Sequence, residues 1–145
     1  MKEENPLGHL GRAYSLAGAG ELVSAAQSLG RALGLFPEQA QTKIDLKKFF
    51  RSQKEIDKIT GKLGAMAEVK KKNVRIRLLL GYIHHYSGNT ALAGPILREA
   101  AELAKTDPSI SVKLAETIDK FAKDVSKQSG GGFELPGTFE LPAAR

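Results

Sequence analysis

The stretch RIRLLLGYIHHYSGNTALAGPILREAAEL, residues 75–103, predicts two helices that meet at a tight turn. Its first half carries apolar residues spaced for one helical face, namely Ile76, Leu79, Leu80 and Ile83. Gly88-Asn89 ends this helix, because glycine tolerates a positive φ and asparagine favours the N-cap of a following helix. The second half repeats the helical spacing in Leu92, Ile96, Leu97, Ala100 and Leu103.

Small residues recur where these two helices would touch, namely Gly81, Ala93 and Ala100. An isolated pair of this kind cannot bury both apolar faces, so the chain needs further helices that pack against it. The stretch SLGRALGL (28–35) aligns with ILREAAEL (96–103), 68 residues later, which is twice 34. A degenerate copy lies midway between them. The sequence therefore predicts three tandem units of 34 residues.

This period and residue pattern resemble the tetratricopeptide repeat, a helix–turn–helix unit of 34 residues. The three units would be residues 6–39, 40–73 and 74–107, and the pattern is weakest in the middle unit. Asn73 is placed to cap the helix that begins the third unit at Val74. A further amphipathic helix at about 109–127 fits the capping helix that a repeat array needs at its end. Its apolar face would hold Ile110, Leu114, Ile118, Phe121 and Val125. The resemblance implies an all-α, right-handed solenoid over residues 1–128, followed by a flexible tail at 129–145 that carries two FELP motifs.

Composition excludes several function classes. The absence of cysteine rules out disulfides, thiolate metal sites and cysteine catalysis. No apolar run reaches membrane-spanning length, and the amino terminus is acidic where a signal peptide is basic, so we expect a soluble, cytoplasmic protein. The net charge of +6 is concentrated in residues 40–80, where twelve Lys and Arg stand against four Asp and Glu. This basic patch indicates an acidic partner.

The sequence shows no constellation typical of catalysis. His84 and His85 are adjacent on a helix and therefore point about 100° apart, so they cannot share one metal ion. The glycines do not follow a phosphate-binding loop pattern. We therefore expect a protein without enzymatic activity, bound metal or cofactor.

The resemblance also implies where a ligand would bind. In tetratricopeptide arrays the first helix of each unit lines a concave groove, and selected positions on it face the ligand. The matching residues are Leu10, Tyr14, Lys48, Arg51, Arg75, Leu78, Tyr82, His85 and Tyr86. Such a groove would suit an extended peptide with acidic and apolar side chains, through charge-assisted hydrogen bonds and aromatic contacts. The expected function is that of an adaptor, a scaffold or a chaperone-like protein.

Three other interpretations remain open at this level. The cations of the groove can simply be solvated on an exposed face. The tail segment FELPGTFELP is acidic and aromatic, so it can occupy the groove of its own chain or of a second copy. The cationic middle unit is also compatible with a nucleic-acid-binding helical domain.

Overall fold

The computed structural model describes residues 6–41, 46, 50 and 52–131, and every regular element among them is helical. The elements are α1 (Pro6–Gly18), α2 (Leu22–Leu35), a 3-10 helix (Pro37–Gln41), α3 (Gln53–Val69), α4 (Val74–Tyr86), α5 (Thr90–Thr106) and α6 (Val112–Gly131). The all-α class predicted from the sequence is confirmed for this part of the chain. No helix in these ranges is both long enough and apolar enough to cross a bilayer.

The predicted turns and one predicted cap are observed. Gly88 adopts a positive φ of 97° between α4 and α5, and Gly20 does the same at 86° between α1 and α2. Asn73 caps α4, because its Oδ1 accepts a hydrogen bond from the Ile76 backbone N–H at 3.0 Å. Asn89 occupies the N-cap position of α5 without a side-chain hydrogen bond to the helix.

One helix boundary differs from the prediction, and one predicted helix cannot be compared with the structure. The last helix begins at Val112 and not near residue 109, because Ser111 provides the cap through a 3.1 Å hydrogen bond from the Leu114 backbone N–H to its Oγ. The predicted first helix of the middle unit falls largely outside the described residues. Between Leu35 and Gln53 the described residues form only the 3-10 helix and two isolated buried positions, Leu46 and Phe50.

Helix α4 is the centre of the packed core. It contacts α2, α3 and α5 along its length, and the ring of Tyr82 meets the ring of Phe121 from α6. Eight of its residues are buried: Val74, Ile76, Leu78, Leu79, Leu80, Gly81, Tyr82 and Ile83. The polar side chains of the helix, such as Arg75 and Arg77, are only partly buried, so α4 is central to the core without being enclosed on every side. The burial of Leu78 and Tyr82 differs from the sequence expectation that one face of this helix lines an open groove.

Helix α6 closes the structure. Its predicted apolar residues Ile110, Leu114, Ile118, Phe121 and Val125 are all buried. The helix packs mainly against α5 and also contacts α2 and the 3-10 helix. The capping role predicted for its apolar face is consistent with this packing, while the solenoid arrangement and the number of repeats remain predictions.

Candidate binding surface

Four of the predicted groove residues lie in the core. The exposed fractions of Leu10, Tyr14, Leu78 and Tyr82 are 1%, 2%, 0% and 0%. A side chain with so little exposure cannot meet a ligand in this conformation. The structure therefore corrects the prediction for these four residues, which stabilise the fold from inside.

Aromatic packing is part of the physical reason. The ring of Tyr82 packs against that of Tyr14 on α1 and that of Phe121 on α6. The Phe121 centroid lies 5.9 Å from that of Tyr82, 6.3 Å from that of Tyr86 and 5.7 Å from that of His85. Aromatic rings at these separations pack favourably, and a buried phenylalanine removes a large apolar area from water. The end of α4 that carries Tyr82, His85 and Tyr86 is therefore in contact with the chain's own last helix.

Tyr14 and Tyr82 form a buried pair that links α1 to α4. Their hydroxyl oxygens are 2.8 Å apart, within hydrogen-bond distance. Burial raises the pKa of both phenols well above the ordinary value of about 10, because the charged phenolate loses its hydration. The pKa of Tyr86 is raised for the same main reason. All three tyrosines of the chain are thus held in the protonated form.

This arrangement predicts that the tyrosines ionise only when the protein unfolds. A phenol whose pKa is raised by folding contributes stability that is complete below the unfolded pKa of about 10 and is lost as the pH rises above it. In an alkaline titration, tyrosinate absorbance should therefore rise together with the loss of helical circular dichroism. The variant Tyr14→Phe/Tyr82→Phe should keep its helical signal to higher pH. Titration near pH 10 with an intact helical signal would contradict the buried pair.

His85 and Tyr86 are half-buried and already engaged by the fold. His85 Nδ1 lies 3.1 Å from Thr90 Oγ1, and the Tyr86 hydroxyl donates a hydrogen bond to the Ala40 carbonyl oxygen. Desolvation lowers the pKa of both His84 and His85, which favours neutral imidazoles at pH 7. Within the described ranges, no group of three or more His, Cys, Asp or Glu is arranged to hold a metal ion.

The two predicted cations of the middle unit, Lys48 and Arg51, lie outside the described residues. Arg75 is the remaining predicted residue, and its side chain is partly accessible. The Arg75 side chain packs against Gly30 of α2, and a Cβ atom at Gly30 would lie 3.4 Å from Arg75 Nε. Its Nη2 donates a hydrogen bond to the Ser109 carbonyl oxygen at 3.0 Å. Arg75 is thus held in place where α2, α4 and the loop before α6 meet.

Arg75 lies on the wall between two of three connected surface cavities. The first cavity, of about 490 Å³, lies between α1 and α2 and is lined by His9, Arg12, Leu16, Ser24, Gln27, Ser28 and Arg31. The second, of about 730 Å³, shares Gln27 and Arg31 with the first and extends to Arg75 and Ser109. The third, of about 580 Å³, shares Arg75 and Ser109 with the second and reaches the turn before α4. The cavities form one continuous path across the surface.

We call the cations along this path the basic strip, and define it as Arg12, Arg31, Arg75, Lys70, Lys71 and Lys72. None of them forms an ion pair with a carboxylate in the described part of the chain. Asp107 is the one acidic residue among the described residues that line the three cavities. Hydrogen bonds from the Ser109 hydroxyl and backbone N–H lower the pKa of the Asp107 carboxyl. The strip therefore carries a strong positive charge with little internal compensation.

Arg77, which belongs to the same cationic segment, has a structural role instead. Its Nη1 pairs with Glu99 Oε1 at 2.8 Å, and its Nε donates to the Lys71 carbonyl oxygen at 2.8 Å. These bonds hold the turn that presents Lys70, Lys71 and Lys72.

The charge count along the sequence identified residues 40–80 as basic, and this range includes the turn. It could not identify Arg12 and Arg31, because they belong to a segment whose net charge is slightly negative.

The chain matches no protein-family model, and neither the curated proteins nor the solved structures compared with it show a significant similarity.

Proposed function

We propose that this chain is a non-catalytic binding module that holds an extended acidic segment of a protein partner along the basic strip. The observation that carries the proposal is the continuity of the three cavities, which places six cations along one path with no ion pair to a described carboxylate. Charges concentrated along a cleft attract an oppositely charged partner and orient it on approach. The role is that of an adaptor, a scaffold or a chaperone-like protein.

The lining of the cavities favours a polypeptide over a nucleic acid. Leu16 and Leu35 contribute apolar surface beside the cations, which suits a segment that mixes acidic and apolar side chains. Proteins that bind single strands stack bases on aromatic side chains along the groove. No aromatic residue other than His9 is among the described residues that line the three cavities. An acidic peptide therefore fits this surface better.

The proposal predicts the effect of charge reversal in the strip. The variant Arg31→Glu/Arg75→Glu should weaken binding of a fluorescein-labelled, glutamate-rich peptide by roughly tenfold or more, because attraction becomes repulsion at two central positions. Fluorescence anisotropy at low salt measures this directly. The matched control is Arg98→Glu/Lys120→Glu, which changes the net charge equally at exposed positions outside the three cavities. Equal weakening by both variants would show general charge attraction and would contradict a site on the strip.

A competition experiment separates the candidate partners. An oligonucleotide with the same number of charges should compete poorly with the glutamate-rich peptide. If it competes better, and its binding weakens steeply with salt, a nucleic-acid-binding role replaces the proposed one.

The tail of the chain is a second candidate for the acidic segment. Apart from its first three residues, the tail lies outside the described residues. A peptide with the sequence FELPGTFELP tests whether the tail occupies the strip in cis or in trans. Deletion of residues 132–145 should then strengthen binding of the added peptide.

A further inference from the structure

We infer that the central cavity of the basic strip, between Arg31 and Arg75, is a subsite for a phosphorylated side chain of the acidic partner. The inference rests on the proposed function and makes it more specific. This cavity has a volume of about 730 Å³ and is formed by α2, the start of α4 and the start of α6. Two arginines from different helices, Arg31 of α2 and Arg75 of α4, line this open cavity.

The Arg75 guanidinium is held in one orientation before any ligand arrives. Its stem lies across Gly30, where a larger residue would press a Cβ atom to within 3.4 Å of Nε. Its Nη2 is bonded to the Ser109 carbonyl oxygen at 3.0 Å, which leaves Nη1 without a protein acceptor among the described residues. A guanidinium that is fixed in this way loses little side-chain entropy when it binds an anion.

The glycines of α2 let neighbouring side chains lie close to the helix backbone at the cavity. Gly30 and Gly34 lie on the same face of the helix and both line the cavity. A Cβ atom at Gly30 would lie 3.4 Å from Arg75 Nε, and one at Gly34 would lie 3.8 Å from Leu114 Cβ. The absence of a side chain at Gly30 thus allows Arg75 to take its place beside α2 on the cavity wall.

The charge of the cavity matches a dianion. Arg31 and Arg75 contribute two positive charges, and none of the described residues that line the cavity is acidic. Lys113 adds a third cation close by, since its Nζ lies 3.3 Å from the Leu35 carbonyl oxygen. A carboxylate would neutralise only one of these charges. A phosphorylated serine or threonine carries a charge of about −1.5 to −2 at pH 7 and offers three acceptor oxygens.

Neutral donors complete the match. The Ser111 hydroxyl lines the cavity, and its oxygen accepts the Leu114 backbone N–H at 3.1 Å, so its own proton can be donated outward. The exposed side chain of Gln27 also lines the cavity, and its amide group offers two further N–H groups. Phosphate oxygens accept several hydrogen bonds at once, and arginine binds them in a bidentate manner. A donor set built from two arginines, a hydroxyl and an amide has the chemistry that a phosphoryl group needs.

Three glutamate-rich peptides that differ at one central position test the inference. The position holds serine, phosphoserine or glutamate, and binding is measured by fluorescence anisotropy at fixed ionic strength. The phosphoserine peptide should bind roughly tenfold more tightly than the serine peptide, and more tightly than the glutamate peptide, because added charge-assisted hydrogen bonds are worth about that factor. The preference should decline below a pH of about 6, where the phosphate loses its second charge while arginine stays protonated.

Substitutions in the basic strip test which residues cause the preference for the phosphoserine peptide. Arg31→Ala and Arg75→Ala should each bring the ratio of phosphoserine to serine affinity close to one. Lys71→Ala is the matched control, since Lys71 lies on the strip but does not line the central cavity. It should weaken binding of all three peptides and leave their ratio unchanged. A ratio that survives in Arg31→Ala and Arg75→Ala would overturn the subsite.

Two other outcomes separate this inference from the proposed function. If wild-type protein binds all three peptides with equal affinity, the acidic-segment function stands and the phosphoryl subsite is wrong. A titration with inorganic phosphate tests whether the cavity binds a free phosphate ion instead. Binding is followed by NMR through the backbone amide resonances of Gly30 and Gly34. Saturable shifts with phosphate, together with no binding of any peptide, would identify a free phosphate ion and would overturn the phosphorylated partner.

Discussion

Replacement of Phe121 by alanine is expected to lower the free energy of unfolding by about 3–5 kcal/mol, the usual cost of removing a buried phenylalanine from a core. Phe121 is 1% exposed, and its ring touches the rings of Tyr82, Tyr86 and His85. The substitution removes the contact that holds α6 against α4 and leaves a cavity that rigid helices fill only partly. Urea denaturation followed by circular dichroism measures the change.

Val112→Ala is the matched control for this substitution. Val112 is also an apolar residue of α6, but it is 74% exposed, so its truncation should change stability by less than about 0.5 kcal/mol. If Phe121→Ala were no more destabilising than Val112→Ala, the Phe121 ring would not be packed among the rings of Tyr82, Tyr86 and His85 in solution.

Replacement of Gly81 by alanine is expected to destabilise the protein by about 1–3 kcal/mol, although alanine is the better helix former. A Cβ atom at Gly81 would lie 2.6 Å from both Cγ and Cδ2 of Leu97, which is fully buried on α5. Because Leu97 is fully buried among packed neighbours, relief of the collision requires Leu97 to repack or α4 and α5 to move apart. Thermal unfolding of the purified variant tests this.

Replacement of Gly61 by alanine should have the opposite effect on the free energy of unfolding. Gly61 lies inside α3, and a Cβ atom there would meet nothing within 4 Å. Gly61→Ala should therefore stabilise the protein by roughly 0.5–1 kcal/mol, because it reduces the backbone freedom of the unfolded chain. Destabilisation by both substitutions would show that the loss at Gly81 does not come from contact with Leu97.

A double-mutant cycle connects the loss at Gly81 to its cause. Leu97→Ala alone should cost about 2–5 kcal/mol, as expected for a buried leucine. In the Gly81→Ala background it should cost less, because it also relieves the collision between the two helices. Strict additivity of the two substitutions would contradict the close approach of α4 and α5 at this point.

Much of the helical architecture could be predicted from short-range signals. Asn73 was expected to begin α4 and Gly88 to end it, and the structure places both residues in those roles. The small residues Gly81, Ala93 and Ala100 were expected at the contact between two helices, and all three are buried. These signals act within one or two helical turns, where backbone conformation and hydrogen bonding are decided locally. The helix predicted between α2 and α3, where the sequence pattern was weakest, lies largely outside the described residues.

The candidate site could be predicted only in part. The concentration of positive charge pointed to the region of Lys70, Lys71 and Arg75, which lies on the basic strip. Arg12 and Arg31 were missed because a charge count along the chain cannot show which distant segments adjoin in space. The residue-by-residue resemblance placed Tyr14 and Tyr82 in a groove, whereas they form a hydrogen bond in the core.

The sequence by itself determined that this protein is built from amphipathic helices, where most of these helices end, and which face of α6 is apolar. Only the tertiary structure decided what that face covers. Helical periodicity shows which side chains of a helix must be buried, but many apolar surfaces could bury them. The choice depends on packing between residues far apart in the chain, such as Tyr14 with Tyr82 or Phe121 with Tyr82. That packing buried Tyr14 and Tyr82, which were expected to face a ligand, and left the path through Arg31 and Arg75 accessible.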